Sequence, residues 1–172
     1  MIYSKSSSLL SGKVQHMLRL LLVVLTYAIA LPSYAALTCA VDVTPLNFGS
    51  FSPLGTSFDV SGTLTLRCTN SGVATVSITT SISASPGGSA DAFARQMAGA
   101  AGGQLAYQLR RNTSAGSSGI WADGANAFSV ELTVPVGGTR SEYRNYYGRM
   151  SLPQRSVIPG LHSDLVIVTV EY

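Results

Sequence analysis

Apolar and polar residues alternate along most of the chain beyond its first 36 residues. The segments TLTLRCT (63–69), LAYQL (105–109) and FSVELTV (128–134) each place their large apolar side chains at every second position. VSITTSI (76–82) repeats the pattern more weakly. A period of two is that of a β-strand with one face buried, and no segment shows a helical period that competes with it. We therefore predict that this part of the chain is all-β.

The segments between these strands are short and rich in Gly, Ser, Asn, Pro and Ala, as in SPGGSA, AGAAGG, NTSAGSSG and VGGT. Strands of six to nine residues, separated by turn signals at this frequency, indicate an antiparallel sandwich. No internal repeat and no second domain are visible in the sequence. The expected fold is a single β-sandwich.

The first 35 residues have the layout of a secretory signal peptide. An apolar run (20–31) follows Lys13 and Arg19 and precedes Pro32 and the small-residue sequence Ser-Tyr-Ala. A retained membrane anchor is the alternative, but a spanning helix needs about 20 apolar residues and this run is shorter. We expect the protein to be exported.

Cleavage is expected between Ala35 and Ala36, which divides the chain into a signal peptide (1–35) and one domain (36–172). Met17 is an alternative start, because the residues from there to Ala35 form a complete short signal peptide by themselves.

Removal of the signal peptide also removes the net charge. The chain has 11 Lys and Arg against 8 Asp and Glu, and Lys5, Lys13 and Arg19 all lie in the leader, which has no acidic residue. A domain with balanced charge favours neither nucleic acid nor an anionic membrane as its partner.

Two cysteines, Cys39 and Cys68, remain after cleavage. In an exported chain, two cysteines indicate one disulfide. The alternation in TCAVDV (38–43) turns Cys39 inward, where we expect it to face Cys68 across the core and to join the first two strands. The alternatives are two free thiols, or half of a metal site with His162, although a structural zinc site usually needs four ligands.

Residues with catalytic chemistry are few. His162, Ser163 and Asp164 carry the letters of a triad, but adjacent residues of an extended segment point in opposite directions. The chain has no phosphate-binding glycine motif, and no spacing singles out a carboxylate pair for glycoside hydrolysis. We expect no enzymatic activity, no metal and no cofactor, and a secreted hydrolase is the least favoured alternative.

The last eight residues, LVIVTVEY (165–172), form the most strongly β-favouring segment of the chain. One face of this strand carries Val166, Val168, Val170 and Tyr172, and the other carries Leu165 and Ile167. An edge strand with two apolar faces must be paired or covered. We expect something beyond its own sheet to cover it.

Six segments, taken in their order and spacing, resemble the spore coat protein U family, which belongs with the archaic chaperone–usher pilins. They are CAVDVTPLNFGSFSP, GTLTLRCTN, RQMAGAAGGQLAYQLRRN, WADG, YYGRM and IPGLHSDLVIVTVEY. Together they cover nearly all of the domain.

The resemblance implies an incomplete immunoglobulin-like, Greek-key sandwich that lacks its last strand. A periplasmic chaperone lends that strand, and the N-terminal extension of a neighbouring subunit replaces it during assembly at an outer-membrane usher. The family is associated with cell-surface fibres, adhesion and biofilm formation. The expected partners are therefore the chaperone, the usher and other pilin subunits.

The resemblance also assigns roles to residues. Cys39 and Cys68 lie at the family's disulfide positions, and Trp121 and the YGR residues 147–149 match landmarks that we assign to packing. Arg144 departs from the pattern: either its strand begins later or Arg144 lies at the rim of the sheet. The expected donor-strand groove and chaperone contact consists of Val41, Val43, Leu46 and Phe48 on the first strand and Leu165, Val166, Ile167, Val168, Val170 and Tyr172 on the last.

Cleavage after Ala35 would leave only three residues, Ala36, Leu37 and Thr38, ahead of Cys39. Cleavage after Ala30 would leave LPSYAALT (31–38), still a short segment with a proline and no run of alternating large apolar residues. Three extended residues span about 10 Å, whereas a donor strand for a groove of eight to ten residues needs about 30 Å. We expect a subunit that accepts a strand but donates none, and so lies at a fibre end. The alternative is a solitary secreted sandwich, either a coat or matrix protein or a glycan-binding protein.

Overall fold

Nine β-strands and one short 3-10 turn form the part of the chain that the computed structural model describes, residues 37–113 and 119–172. The strands are β1 Leu37–Val43, β2 Phe58–Asn70, β3 Val76–Ala84, β4 Gln96–Gly99, β5 Gln104–Arg110, β6 Phe128–Val134, β7 Thr139–Met150, β8 His162–Ser163 and β9 Val168–Glu171. The predicted signal peptide and its cleavage site at Ala35 and Ala36 lie outside the described residues. Across residues 37–113 and 119–172, no helix has the length and apolar character needed to cross a membrane.

The strands form two sheets. One has six strands in the order β1-β2-β7-β5-β4-β8, and the other has three in the order β6-β3-β9. Neighbouring strands are antiparallel throughout both sheets. The prediction of an all-β sandwich is confirmed.

The core lies between the inward faces of the two sheets, where the alternation placed it. Leu64, Leu66 and Cys68 of β2 are fully buried, and the large apolar residues of β5 and β6 are buried as well. Trp121 is fully buried and packs edge-on against Phe128 and Tyr146, with ring centroids 5.2 and 5.1 Å away. Its assignment to packing is therefore confirmed.

The disulfide between Cys39 and Cys68 is present and joins the first two strands as predicted. The expectation that the two residues face each other across the core is wrong. They lie directly opposite each other in the register of β1 and β2, within one sheet, with their Cα atoms 4.1 Å apart. The bond therefore fixes β1 to its neighbour and does not link the two sheets.

Strand lengths differ from the predicted six to nine residues. β2 has 13 residues and β7 has 12, because the two pair continuously from Phe58 opposite Met150 to Thr69 opposite Thr139. At the other extreme, β9 has only four residues, although its sequence favours strand from Leu165 onward.

Arg144 lies within β7, so the idea that this strand begins after it is wrong. It takes the inward position opposite Leu64, but β5 pairs with β7 only from Tyr147 to Met150. Arg144 therefore lies at the rim, as the second reading proposed, and its guanidinium binds the Glu142 carboxylate at 3.0 Å.

Candidate functional site

An open groove of about 930 Å³ lies between the N-terminal part of the domain, at β1, and its C-terminal segment. One wall is the second half of β1 with the loop that follows it, and the other is the C-terminal segment 157–168. Its floor is formed by buried side chains of the sandwich core, which are Met97, Leu105, Tyr107, Leu109, Trp121 and Tyr146. The groove thus reaches down to the buried core between the edge strands β1 and β9.

The β1 wall offers unpaired backbone groups. The Thr44 amide donates to the Thr63 carbonyl at 3.0 Å, in register with the β1–β2 ladder. Because hydrogen-bonded and non-hydrogen-bonded pairs alternate in an antiparallel ladder, Val41 and Val43 direct their N–H and C=O groups away from β2. No other described strand pairs with β1 on that side. The side chains of both valines are half-buried and line the groove.

The β9 wall mirrors this arrangement. The Ser85 amide donates to the Ile167 carbonyl at 2.9 Å, which continues the β3–β9 register by one pair. By the same alternation, Val168 and Val170 direct their backbone groups away from β3, and β9 is the edge of its sheet within the described residues. Within the described residues, the groove is therefore bordered by two sheet edges.

The loop after β1 lines the groove and packs against the sheet. Leu46 and Phe48 lie over Gly148 of β7: a Cβ at that position would come within 2.7 Å of Leu46 Cδ1 and 2.5 Å of Phe48 Cζ. The ring of Phe48 also packs edge-on against Tyr107, with centroids 6.1 Å apart. The lack of a side chain at Gly148 lets this loop approach the sheet. This close approach explains why a glycine stands in the YGR segment (147–149), which the sequence assigned to packing.

Asp164 anchors the C-terminal wall. Its carboxylate accepts hydrogen bonds from the Gly88 amide at 2.7 Å and from the Tyr107 hydroxyl at 2.5 Å. Gly87 has φ +72° and leaves no room for a side chain, since its Cβ would lie 2.1 Å from Asp164 Oδ2. Burial, and next the bond to Asp164, raises the pKa of Tyr107, so this hydroxyl stays protonated and keeps donating.

Arg95 links the end of β3, the loop before β4 and Trp121, and no pattern in the sequence predicted this. It is fully buried, and its guanidinium donates to four backbone carbonyl groups, those of Ala84, Ser85, Ala92 and Trp121, at 2.8–3.1 Å. Desolvation by burial lowers the pKa of its guanidinium. An arginine flanked by Ala and Gln is ordinarily expected at the surface, so only the fold reveals this role.

His162, Ser163 and Asp164 are not brought together. The ring Nδ1 of His162 lies 3.1 Å from the Gly160 carbonyl oxygen, whereas Asp164 binds Gly88 and Tyr107. Ser163 is exposed in β8. Within residues 37–113 and 119–172, no three His, Cys, Asp or Glu side chains are grouped so that they could hold a metal ion.

The model of the Spore Coat Protein U domain matches residues 25–169 of this sequence. The chain belongs to the spore coat protein U domain family. The resemblance drawn from the six sequence segments is thereby confirmed. A comparison with curated proteins gives no match.

Among solved structures, this family member is similar to a chain in the crystal structure of the CsuC–CsuE chaperone–tip adhesion subunit pre-assembly complex, from the archaic chaperone–usher Csu pili of Acinetobacter baumannii. The TM-score is 0.52 at 18% sequence identity, and the match covers 79% of the present chain. It covers only 40% of the other chain's length. At this identity the likeness concerns the fold.

Seven of the ten predicted groove residues line the groove of this spore coat protein U domain. They are Val41, Val43, Leu46, Phe48, Leu165, Val166 and Val168. Ile167, Val170 and Tyr172 do not line it: Ile167 and Tyr172 are exposed, and Val170 packs against the core. Leu46 and Phe48 lie in the loop beyond Val43 and not on the first strand. That these residues receive a donated strand stays a prediction.

Proposed function

We propose that this protein is a subunit of an archaic chaperone–usher fimbria and that a strand from another protein completes its sandwich. The observation that carries the proposal is the groove itself, an opening that reaches the core and is bordered by β1 and β9, which are edge strands among the described residues. Membership of the spore coat protein U domain family and the fold likeness to a pilus assembly complex support it.

A strand placed between β1 and β9 would meet two needs of the domain. Its backbone would bond the outward amides and carbonyls of Val41 and Val43 on one side and of Val168 and Val170 on the other. Its alternate side chains would fill the groove above Tyr107 and Trp121. Each buried Val or Leu side chain would contribute about 1.5–3 kcal/mol.

The expected partners are a periplasmic chaperone that supplies the strand in transit, an outer-membrane usher, and other pilin subunits. The protein would pass through the periplasm to the cell surface, where the fibre would support adhesion and biofilm formation. Its role would be structural or adhesive and not enzymatic.

A place at the fibre end is a further part of the proposal. β1 begins at Leu37, and its third residue, Cys39, is bonded to Cys68, so residues from Leu37 onward are committed to this domain's own sheet. With the predicted cleavage after Ala35, no segment of donor length would precede them.

The test is co-expression with candidate periplasmic chaperones, followed by affinity capture and size-exclusion chromatography. We expect a soluble one-to-one complex with a chaperone and aggregation when the subunit is exported alone. A stable, soluble monomer without any partner would contradict the proposal and favour the solitary secreted sandwich.

A further inference from the structure

At the end of β1, a side chain takes the place of a backbone carbonyl in the sheet. In a regular antiparallel ladder, the amide and the carbonyl of Thr44 would both bond Thr63, its partner in the continued register. The Thr44 amide does donate to the Thr63 carbonyl, at 3.0 Å. The Thr63 amide, however, donates to the hydroxyl oxygen of Thr44 at 2.8 Å. The Thr44 carbonyl is therefore released from the ladder between β1 and β2.

Tyr146 of β7 binds the released carbonyl. Its hydroxyl donates to the carbonyl oxygen of Thr44, although β2 lies between β1 and β7 in the sheet. The ring can cross β2 because the residue opposite Tyr146 is Gly62, where a Cβ would come within 2.6 Å of the ring. Tyr146 is buried and packs edge-on against Trp121. The core thus holds the hydroxyl in the position that turns the chain inward after β1.

The next residue removes a backbone donor from the groove edge. By the alternation that directs the N–H groups of Val41 and Val43 away from β2, the next such N–H would belong to residue 45. This residue is Pro45, which has no N–H. Thr44 and Pro45 line the groove together with both valines. The backbone donors of this edge therefore end at Val43.

A strand inserted along β1 needs such an end point to find its register. A shift by one residue would turn its apolar side chains away from the core, so the alternation of its side chains excludes that shift. A shift by two residues keeps every side chain on its own face, and alternation cannot exclude it. In that shifted register a residue of the strand would lie opposite Pro45. Its carbonyl would find no N–H there, and the inward turn of the chain would leave its amide without an acceptor.

We propose that Tyr146 and Pro45 form a register stop, which fixes the position along β1 at which an inserted strand pairs. This inference rests on the proposed function and adds a selection step to it: the groove accepts apolar side chains in one register of the strand only. Tyr146 is a positioning residue in this step, because it acts through the Thr44 carbonyl.

Disulfide trapping with a strand that has no preferred register tests the stop. The probes are synthetic peptides of about twelve residues in which Val and Thr alternate, so that a shift by two residues leaves the sequence unchanged. In each peptide one Thr is replaced by cysteine. The full chain carries Asp42→Cys, at an exposed position beside Val43, and is refolded from urea with each peptide in turn.

In this background we expect one cysteine position of the peptide to be trapped about tenfold faster than the positions two residues away, because the shifted strand leaves backbone groups unpaired. With Tyr146→Phe and Pro45→Ala added, the Thr44 carbonyl and a new N–H become available to the strand. Two positions, two residues apart, should then be trapped at rates within about threefold of each other.

The matched control adds Tyr143→Phe and Pro135→Ala, the same changes at exposed positions that do not line the groove, and should keep the single position. A purely structural role of Tyr146 would lower trapping at every position alike, and that result would overturn the inference. Two trapped positions in the Asp42→Cys background would overturn it as well. Trapping at no position in that background would instead contradict the proposed function itself.

Discussion

Arg95 shows how one residue can hold several elements together. Its buried guanidinium binds carbonyl oxygens at the end of β3, in the loop before β4 and at Trp121. A buried carbonyl without a donor costs about 1–3 kcal/mol. Loss of the Arg95 side chain would therefore destabilise the fold mainly through the carbonyl groups that it leaves unpaired, and less through the net strength of the lost hydrogen bonds. The backbone carbonyl of Arg95 also accepts a hydrogen bond from the amide of Tyr107, a residue of the groove floor, at 3.1 Å.

Arg95→Met should therefore destabilise the domain by about 3 kcal/mol or more, since it leaves several buried carbonyl groups unpaired at once. The measurement is urea unfolding of the protein in complex with its completing strand. Arg67→Met, at an exposed position of β2, is the control and should shift the midpoint little. Equal midpoints for the two variants would show that the Arg95 bonds are dispensable.

The ion pair between Arg149 and Asp59 predicts a pH dependence. The Arg149 guanidinium donates to both carboxylate oxygens at 2.7 Å, and this hydrogen bonding is the main reason that the pKa of Asp59 lies below its ordinary value of 3.8. A carboxyl with a lowered folded-state pKa stabilises the fold above its unfolded pKa. That stabilisation is lost as the pH falls from about 4 through the folded-state pKa.

Asp59→Asn should accordingly lower the free energy of unfolding at pH 7 by at most about 1 kcal/mol, because the pair is partly exposed. The difference from wild type should shrink as the pH falls from about 4 toward 2. Unfolding curves across that range provide the measurement, with Asp42→Asn on the exposed face of β1 as the control. A difference that persists unchanged at pH 2 would contradict the assignment to this ion pair.

At the scale of elements, the two edge strands decide what the groove can bind. β1 is fixed to β2 by a seven-residue register and by the disulfide, whereas β9 has only four residues in its ladder. Both present half-buried valines to the groove side of the core. A strand inserted between them would join the two sheets at their open side.

Val168→Glu should abolish capture by the chaperone, because it places an unpaired charge where the inserted strand and the core meet. Val170→Glu should also abolish capture, because it places a charge against the core on which Val170 packs. Thr133→Glu, at an exposed position of β6, is the control and should leave capture intact. Pull-down with the chaperone measures all three, and equal capture would mean that the groove lies elsewhere.

At the scale of the whole molecule, a domain that accepts a strand but donates none would end a fibre. Chaperone-bound subunits mixed in purified form should take up a peptide matching another subunit's N-terminal extension. They should form no homopolymer, because the chain from Leu37 onward lies in its own sheet. Electron microscopy and N-terminal sequencing of the exported protein provide the measurements. Fibres of this subunit alone, or a mature N-terminus well upstream of Leu31, would contradict the end position.

Local periodicity accounts for the success of the sequence predictions. The inward faces of β2, β5 and β6 were predicted because the side-chain period of a strand is a property of adjacent residues. Seven of the ten groove residues that the family resemblance implied line one groove, but they lie in β1, in the loop after it and in the C-terminal segment, which alternation alone could not bring together. The structural roles of Arg95 and Asp164 were not predicted, because their hydrogen-bond partners lie in other elements that are distant in sequence.

The sequence by itself determined that this protein is a β-sandwich, which side chains face its core, and that its two cysteines pair. Only the tertiary structure decided how the ends of the domain meet. The C-terminal segment pairs with β4 at residues 162–163 and with β3 at residues 168–171, so it crosses from one sheet to the other. Its local sequence favours one continuous strand, but the partners and register of a strand depend on distant contacts, here those of Asp164 with Gly88 and Tyr107 and of Ile167 with Ser85. Those contacts fix the C-terminal wall of the groove.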